Sequence, residues 1–289
     1  MRSTLSRATF SAWIVMTAAS LAGSAAAGAQ VPSAKGRDAD PAKPVPVALI
    51  TGSDRGIGFA LVQELESRGW RVLATCRDPE HADALKTFAV THTHVSVDAL
   101  DVSDNAAIEA LSARYHNQPI DALINNAGLS GGLGNAGLGT LNPEEFSQVM
   151  RVNTYAPLKV SAAFLEQVAA SKQKKVIAIT SGLGSLLRVP QFKGTAYYSI
   201  SKAALNMAMR IFQGEVRDRG VLVGIVAPPA VDTELARTYR ATAEQAGRPV
   251  ASQMRPPAEV ARILVDYIET LGPERSGRFY TYTGEELPW

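Results

Sequence analysis

Tyr198 and Lys202 stand four residues apart in Tyr198-Ser199-Ile200-Ser201-Lys202. On a helix that spacing puts both side chains on one face, one turn apart. A phenol beside a fixed ammonium loses its proton more easily, because the cation stabilises the phenolate. Such a pair suits acid/base work on a carbonyl or an alcohol. Tyr197 is the neighbouring rival, but residue 201 is Ser, so it has no ammonium four positions on. It is expected to pack or to touch a lid. A second chemical stretch is Thr51-Gly52-Ser53-Asp54-Arg55-Gly56-Ile57-Gly58. Glycines there permit a tight turn and close approach of backbone to a phosphate. A helix following the turn aims free amides and its positive dipole end at that phosphate.

The elements that must position these residues alternate from residue 46 onward. Apolar runs at 45–50, 71–75, 94–97, 120–124, 175–180, 221–227 and 277–282 read as strands. Helical spacing is found at 58–68, 79–88 (behind Asp78 as cap), 103–115 (with Ser103 as cap), from 142, at 154–170, 196–217 and 256–271. The glycine-rich 129–140 reads as a loop, and 228–255 as a loop or lid with short helices. This βα order predicts a doubly wound α/β fold of one domain, with about seven parallel strands and helices on both faces.

Composition agrees with a globular core, with 46% hydrophobic and 19% charged residues. A net charge of +2 calls for neither nucleic acid nor an anionic membrane. The single cysteine, Cys76, cannot form an internal disulfide. Residues 1–29 have the three-part pattern of a signal peptide: Arg2 and Arg7, an apolar 10–27, and the small-x-small site Ala27-Gly28-Ala29. The alternatives are an uncleaved anchor and a later start such as Met16. Residues 30–44 read as a disordered linker, and 45–289 as the folded domain with no clear membrane span. His92-Thr93-His94 has the look of a metal pair on a strand, but no third ligand lies at a suitable spacing, and no metal is expected.

The turn Thr-Gly-x-x-x-Gly-x-Gly at 51–58 resembles that of the short-chain dehydrogenase/reductase superfamily. Four more pieces match it in order: Asn125-Asn126-Ala127-Gly128, Asn153, Ser181 with Tyr198-x-x-x-Lys202, and Pro228-Pro229-Ala230-Val231-Asp232-Thr233. The wording of 73–80 is similar to the Sniffer-like and C-factor-like carbonyl reductase branch. The resemblance implies hydride transfer between NADP(H) and a small carbonyl or alcohol. Tyr198 would be the acid/base group. Lys202 would lower its pKa and hold the nicotinamide ribose. Ser181 would donate to the substrate oxygen, and Asn153 would hold a water leading from Lys202 to solvent. Asn153 has a second reading, as a helix cap or bend. Ser185, at the commoner spacing of thirteen before Tyr198, competes with Ser181. Ser181 is preferred because it ends a strand, which leaves the extra residues to the loop 183–195.

For the cofactor, the resemblance implies Thr51, Gly52, Ser53, Arg55, Gly56, Ile57 and Gly58 at the phosphates. It places Asp101 and Val102 at the adenine and Asn125 at the adenosine ribose. Val231 and Thr233 would lie beside the nicotinamide, with Tyr198 and Lys202. An acid at the end of the second strand would favour NADH. This chain has Cys76 and Arg77 there. With Arg55, two guanidiniums suit a 2′-phosphate, so NADP(H) is expected. Asp78 is the alternative ribose partner if the register slips by two, and Arg77 is then a surface residue. Asp101 could instead only cap a helix. Pro229 replaces a customary Gly and removes a backbone donor beside the nicotinamide. Family members are commonly homodimers or homotetramers. A leader for export and a cytoplasmic cofactor point to different compartments, and no twin-arginine pair is present. A cofactor-binding sensor on the same fold is the rival from another functional class.

Overall fold

A computed structural model describes residues 44–132, 137, 139–189, 193–245, 247 and 253–289. The leader and all but the last residue of the linker expected at 1–44 lie outside these residues. The strands are β1 Val47–Thr51, β2 Arg71–Cys76, β3 Val95–Ala99, β4 Ala122–Asn125, β5 Lys175–Ile179, β6 Leu222–Ala227 and β7 Phe279–Thr281. They form one sheet in the order β3-β2-β1-β4-β5-β6-β7, and every pairing is parallel. β1, β4 and β5 are buried along their whole length, as a sheet covered on both faces requires.

Two-residue alternation divides the core. From β1, Ala48 and Ile50 enter one apolar layer, which includes Leu61, Leu65, Leu264 and Ile268. These come from helices α1 (Gly56–Ser67) and α9 (Pro257–Glu269). Val47 and Leu49 enter the other layer, with Ile108, Phe164, Leu205 and Phe212. That face is covered by α3 (Asn105–Arg114), α5 (Ala156–Ala163), α6 (Leu165–Ala169) and α7 (Ala196–Val216). The remaining helices are α2 (Asp83–Thr91), α4 (Pro143–Met150) and α8 (Glu234–Gln245). The chain reverses its direction of sheet growth between β1 and β4. In such sheets the ligand crevice opens there, outside the carboxyl ends of the strands.

Several boundaries differ from the sequence reading. α2 starts at Asp83, not behind Asp78, because residues 79–82 make a turn and Asp78 instead meets the His81 ring at 2.7 Å. α3 is capped by Asp104, whose side chain accepts from the amides of Ala106 and Ala107. The Ser103 hydroxyl is used on Asp101. The helix expected at 154–170 is broken: a π turn, Arg151–Tyr155, precedes α5, and Phe164 at φ −97°, ψ 12° separates α5 from α6. Within the stretch read as a loop or lid, α8 runs for 12 residues. α4 begins as its sequence predicts, with Asn142 accepting from the Glu145 amide and Pro143 in the first turn.

Candidate functional site

At the end of β1 the chain turns sharply, with Gly52 at φ +68° and Gly56 at φ +56°. A Cβ on Gly58 would lie 2.0 Å from the Gly52 carbonyl oxygen and 2.6 Å from Asn126 Nδ2, so no side chain fits there. The Asn126 amide group donates to the carbonyls of Thr51 (3.0 Å) and Gly52 (2.8 Å) and pins the turn. Thr51 Oγ1 accepts from the amides of Asn126 and Ala127, and Ser53 Oγ donates to the Ile50 carbonyl. Thr51 and Ser53 are therefore buried builders of the turn, whereas Gly52, Arg55, Gly56, Ile57 and Gly58 line the cleft above it. No side chain caps the start of α1, so its first amides are free for an anion.

The cleft has a volume of about 2260 Å³. Pockets for one small ligand run to ~300–1,000 Å³, so this one suits a dinucleotide together with a substrate. Arg77, Asp78, Asp101 and Val102 line its β2–β3 end. Cys76 is buried, and burial pushes its thiol pKa up. Asp101 Oδ1 accepts from the Ser103 hydroxyl (2.7 Å) and amide (2.8 Å). These bonds, with the Arg77 charge, hold its carboxyl below the usual range. Asp78 is held low by His81. Arg55 pairs with Asp54 at 3.0 Å and with Glu234 of α8 at 3.3 Å.

Asn125 departs from its expected place at the ribose. It is 3% exposed and donates to Ser161 Oγ at 2.9 Å, inside the layer covered by α5. Its strand position turns it inward, and Asn126 is the residue that reaches the cleft. Val231 and Thr233 line the cleft, and a Cβ on Gly56 would meet Thr233 Cγ2 at 3.2 Å. The motif after β6 thus leans on the glycine turn. Pro229 lines the same wall.

At the β5 end, Ser181, Tyr198 and Lys202 come together. Ser181 and Tyr198 both line the cleft there, and Ser181 Oγ accepts from the Leu183 amide at 3.2 Å. Lys202 Nζ lies 5.7 Å from the centre of the Tyr198 ring and donates to the Ile179 carbonyl at 3.0 Å. Burial pulls the Lys202 pKa down to about 8 and pushes that of Tyr198 up to about 12, the latter against the opposing pull of the Ser181 hydroxyl. Loss of solvent is the larger cause for both groups. Asn153 lies in the π turn and is fully buried. Its side chain accepts from the Leu129 amide (2.7 Å) and donates to the Leu129 carbonyl (2.9 Å) and Ser201 Oγ (3.0 Å). A Cβ on Gly128 would lie 3.4 Å from Asn153 Oδ1 and 3.8 Å from Lys202 Nζ, so Asn153 stands beside the lysine without lining the cleft.

The competing residues lie elsewhere. Ser185 is fully buried, and its Oγ accepts from the Arg188 amide. The Tyr197 hydroxyl bonds the Asn142 amide, and its ring meets Phe146 at 5.7 Å. His92 stacks on Phe88 at 3.7 Å. Among the described residues no group of three or more His, Cys, Asp or Glu is placed to hold a metal, and no helix is long and apolar enough to cross a membrane.

Residues 46–244 match the family model described as short chain dehydrogenase. The chain belongs to that family. This short-chain dehydrogenase is 35% identical over 183 residues to C-signal of Myxococcus xanthus, covering 63% of its own length and all of that protein. It is similar to the NADPH-bound carbonyl reductase from chicken fatty liver, with 30% identity, a TM-score of 0.73, and coverage of 85% of this chain and 99% of that one. It also shares its fold with carbonyl reductase Sniffer of D. melanogaster (24% identity, TM-score 0.74, coverage 85% and 100%). Among the cleft residues of this dehydrogenase with no assigned role in its sequence are Asn126, His81 and Arg188. Strand alternation after Asn125 was a usable signal for Asn126. None existed for the other two, which reach the cleft only through the path of their loops.

Proposed function

We propose that this dehydrogenase is an NADP(H)-dependent carbonyl reductase or alcohol dehydrogenase acting on small molecules. The observation that carries the reading is that Ser181 and Tyr198 line one cleft wall, with the buried Lys202 ammonium 5.7 Å from the Tyr198 ring. The dinucleotide, when bound, supplies or accepts the hydride. Ser181 holds the carbonyl oxygen by a hydrogen bond that strengthens as negative charge grows there. Tyr198 passes its phenolic proton to that oxygen, or takes it back from the alcohol in reverse. A phenol held near 12 stays protonated at neutral pH, ready to donate. Lys202 then stabilises the phenolate left behind.

The choice of NADP(H) is supported by Arg77 after β2 and Arg55 in the glycine turn after β1, by a buried cysteine where an acid would stand, and by the NADPH bound to the chicken carbonyl reductase. Its phosphates fit the free amides of α1 and the space kept open by Gly52, Gly56 and Gly58. The test is NADPH oxidation with a panel of aldehydes, ketones and quinones. Tight NADPH binding without turnover of any of them would favour the sensor reading instead. An unchanged NADPH/NADH preference in Arg77→Ala would overturn the cofactor assignment.

A further inference from the structure

The β5 end of the cleft is charged differently from the β2 end. The acids that line the cleft, Asp54, Asp78, Asp101, Asp232 and Glu234, follow β1, β2, β3 and β6. None follows β4 or β5. The cations Arg151, Arg188 and Lys193 line the walls that do. Arg188 belongs to the long loop between β5 and α7, which holds the residues separating Ser181 from Tyr198. It is exposed, and among the described residues its guanidinium has no ion pair. Arg55, by contrast, is paired with Asp54 and Glu234, and Arg237 with Asp232.

The position of Arg188 matters more than its charge. Its Nη1 lies 3.6 Å from where a Cβ on Gly182 would stand, and its Cζ lies 4.0 Å from that point. Gly182 directly follows Ser181, so the guanidinium hangs over the backbone one residue from the group that holds the substrate oxygen. It belongs to a different strand end from the cofactor phosphates: β5 lies two strand spacings, roughly 9–10 Å, from β1, whose turn would take the diphosphate, and three, roughly 14 Å, from β2. A guanidinium in a cleft wall presents paired donors that match a carboxylate or a phosphate.

We infer that Arg188 is a specificity residue for an anionic carbonyl substrate, gripping a carboxylate or phosphate group while Ser181 and Tyr198 hold the carbonyl oxygen. This rests on the carbonyl reductase reading above and names a substrate class for it. The carbonyl and the anion belong to one molecule. Hydride and proton go to the carbonyl as before, and the anionic group takes no part in the chemistry.

The test compares pairs that differ only in charge: 4-carboxybenzaldehyde against its methyl ester, and short keto acids against theirs, alongside neutral aldehydes, with phosphorylated aldehydes as a separate arm. Wild type should favour the acid of each pair, or the phosphorylated compound, by about tenfold or more in kcat/KM. Added salt should shrink the advantage. Arg188→Ala should lose it mainly through KM, with ester turnover and NADPH KM unchanged within about twofold. Arg188→Lys should keep part of it, and Arg188→Glu should reverse it. A structural role would not produce that order. Equal turnover of acids and esters with no gain from phosphorylation, or an Arg188→Ala that slows both members of a pair alike, overturns the inference and leaves the reductase reading standing. No turnover of any neutral or anionic carbonyl overturns both.

Discussion

Lys202 should cost the fold stability. It is 4% exposed, and its ammonium makes one hydrogen bond, to the Ile179 carbonyl. Burial lowers its pKa from 10.5 to about 8. At ~1.36 kcal/mol per unit, keeping it charged in the folded protein costs about 3 kcal/mol at neutral pH. The sign follows from proton counting. Between about pH 8 and 10.5 the unfolded chain holds the proton and the folded one has released it. Stability therefore rises with pH across that window, and the penalty is complete below it. Lys202→Met keeps the apolar stem and removes the charge, but leaves the Ile179 carbonyl without a donor, which costs about 1 kcal/mol. The variant should then be more stable than wild type by about 2 kcal/mol at pH 7. For a domain of this size that is ~4–8 °C in Tm. The difference should fall close to zero by about pH 10, as the wild-type penalty fades. The assay is thermal unfolding of both proteins without cofactor at the two pH values, beside NADPH oxidation, which the variant should have lost. A Lys202→Met protein less stable than wild type at pH 7, or a difference that ignores pH, would refute the reasoning.

Three further outcomes are expected. Tyr198→Phe should lower kcat by ~10²–10⁴ while NADPH affinity, followed by fluorescence titration, stays within a few-fold. An active Phe variant removes Tyr198 from the chemistry. Ser181→Ala should lose ~10²–10³ in kcat and no more than about 1 kcal/mol of stability, from the bond its hydroxyl accepts from the Leu183 amide. Ser185→Ala should keep its kcat and lose about 1 kcal/mol of stability, since that buried hydroxyl serves the Arg188 amide. The opposite pattern would reinstate the commoner spacing. Gly58→Ala must push a methyl group against the Gly52 carbonyl, 2.0 Å away, which forces the turn to move. It should cost ~1–3 kcal/mol of stability and weaken NADPH binding at least severalfold, and normal binding would mean that the turn is not the phosphate site.

What could be read without the structure was local. The alternation of strands and helices, Asn142 and Pro143 at the start of α4, and Tyr198 and Lys202 on one face of α7 all depend on residues a few positions apart. Periodicity and spacing report such relations directly. The parallel sheet and the glycine turn after β1 followed from the same signals, together with the rule that parallel strands need helical crossovers, whereas the order of the strands came only with the structure. A polar helix such as α8 and the break at Phe164 were less legible, because neither leaves a clear apolar period.

Tertiary structure decided which side chains face the cleft and what charge they carry. Thr51 and Ser53 sit in the glycine motif yet turn inward, because the backbone of the turn needs their hydroxyls. Asn125 goes to Ser161, 36 residues on, and yields the cleft to Asn126. Ser181 and Ser185 differ by one short loop, but only Ser181 lines the cleft with Tyr198, while Ser185 is buried. The Tyr198–Lys202 pair was visible from its spacing alone. The direction of its two pKa shifts was not, because the fold decides how much solvent each group loses. Sequence set the pair one turn apart, and the fold buried Lys202 beside the cleft that Tyr198 lines.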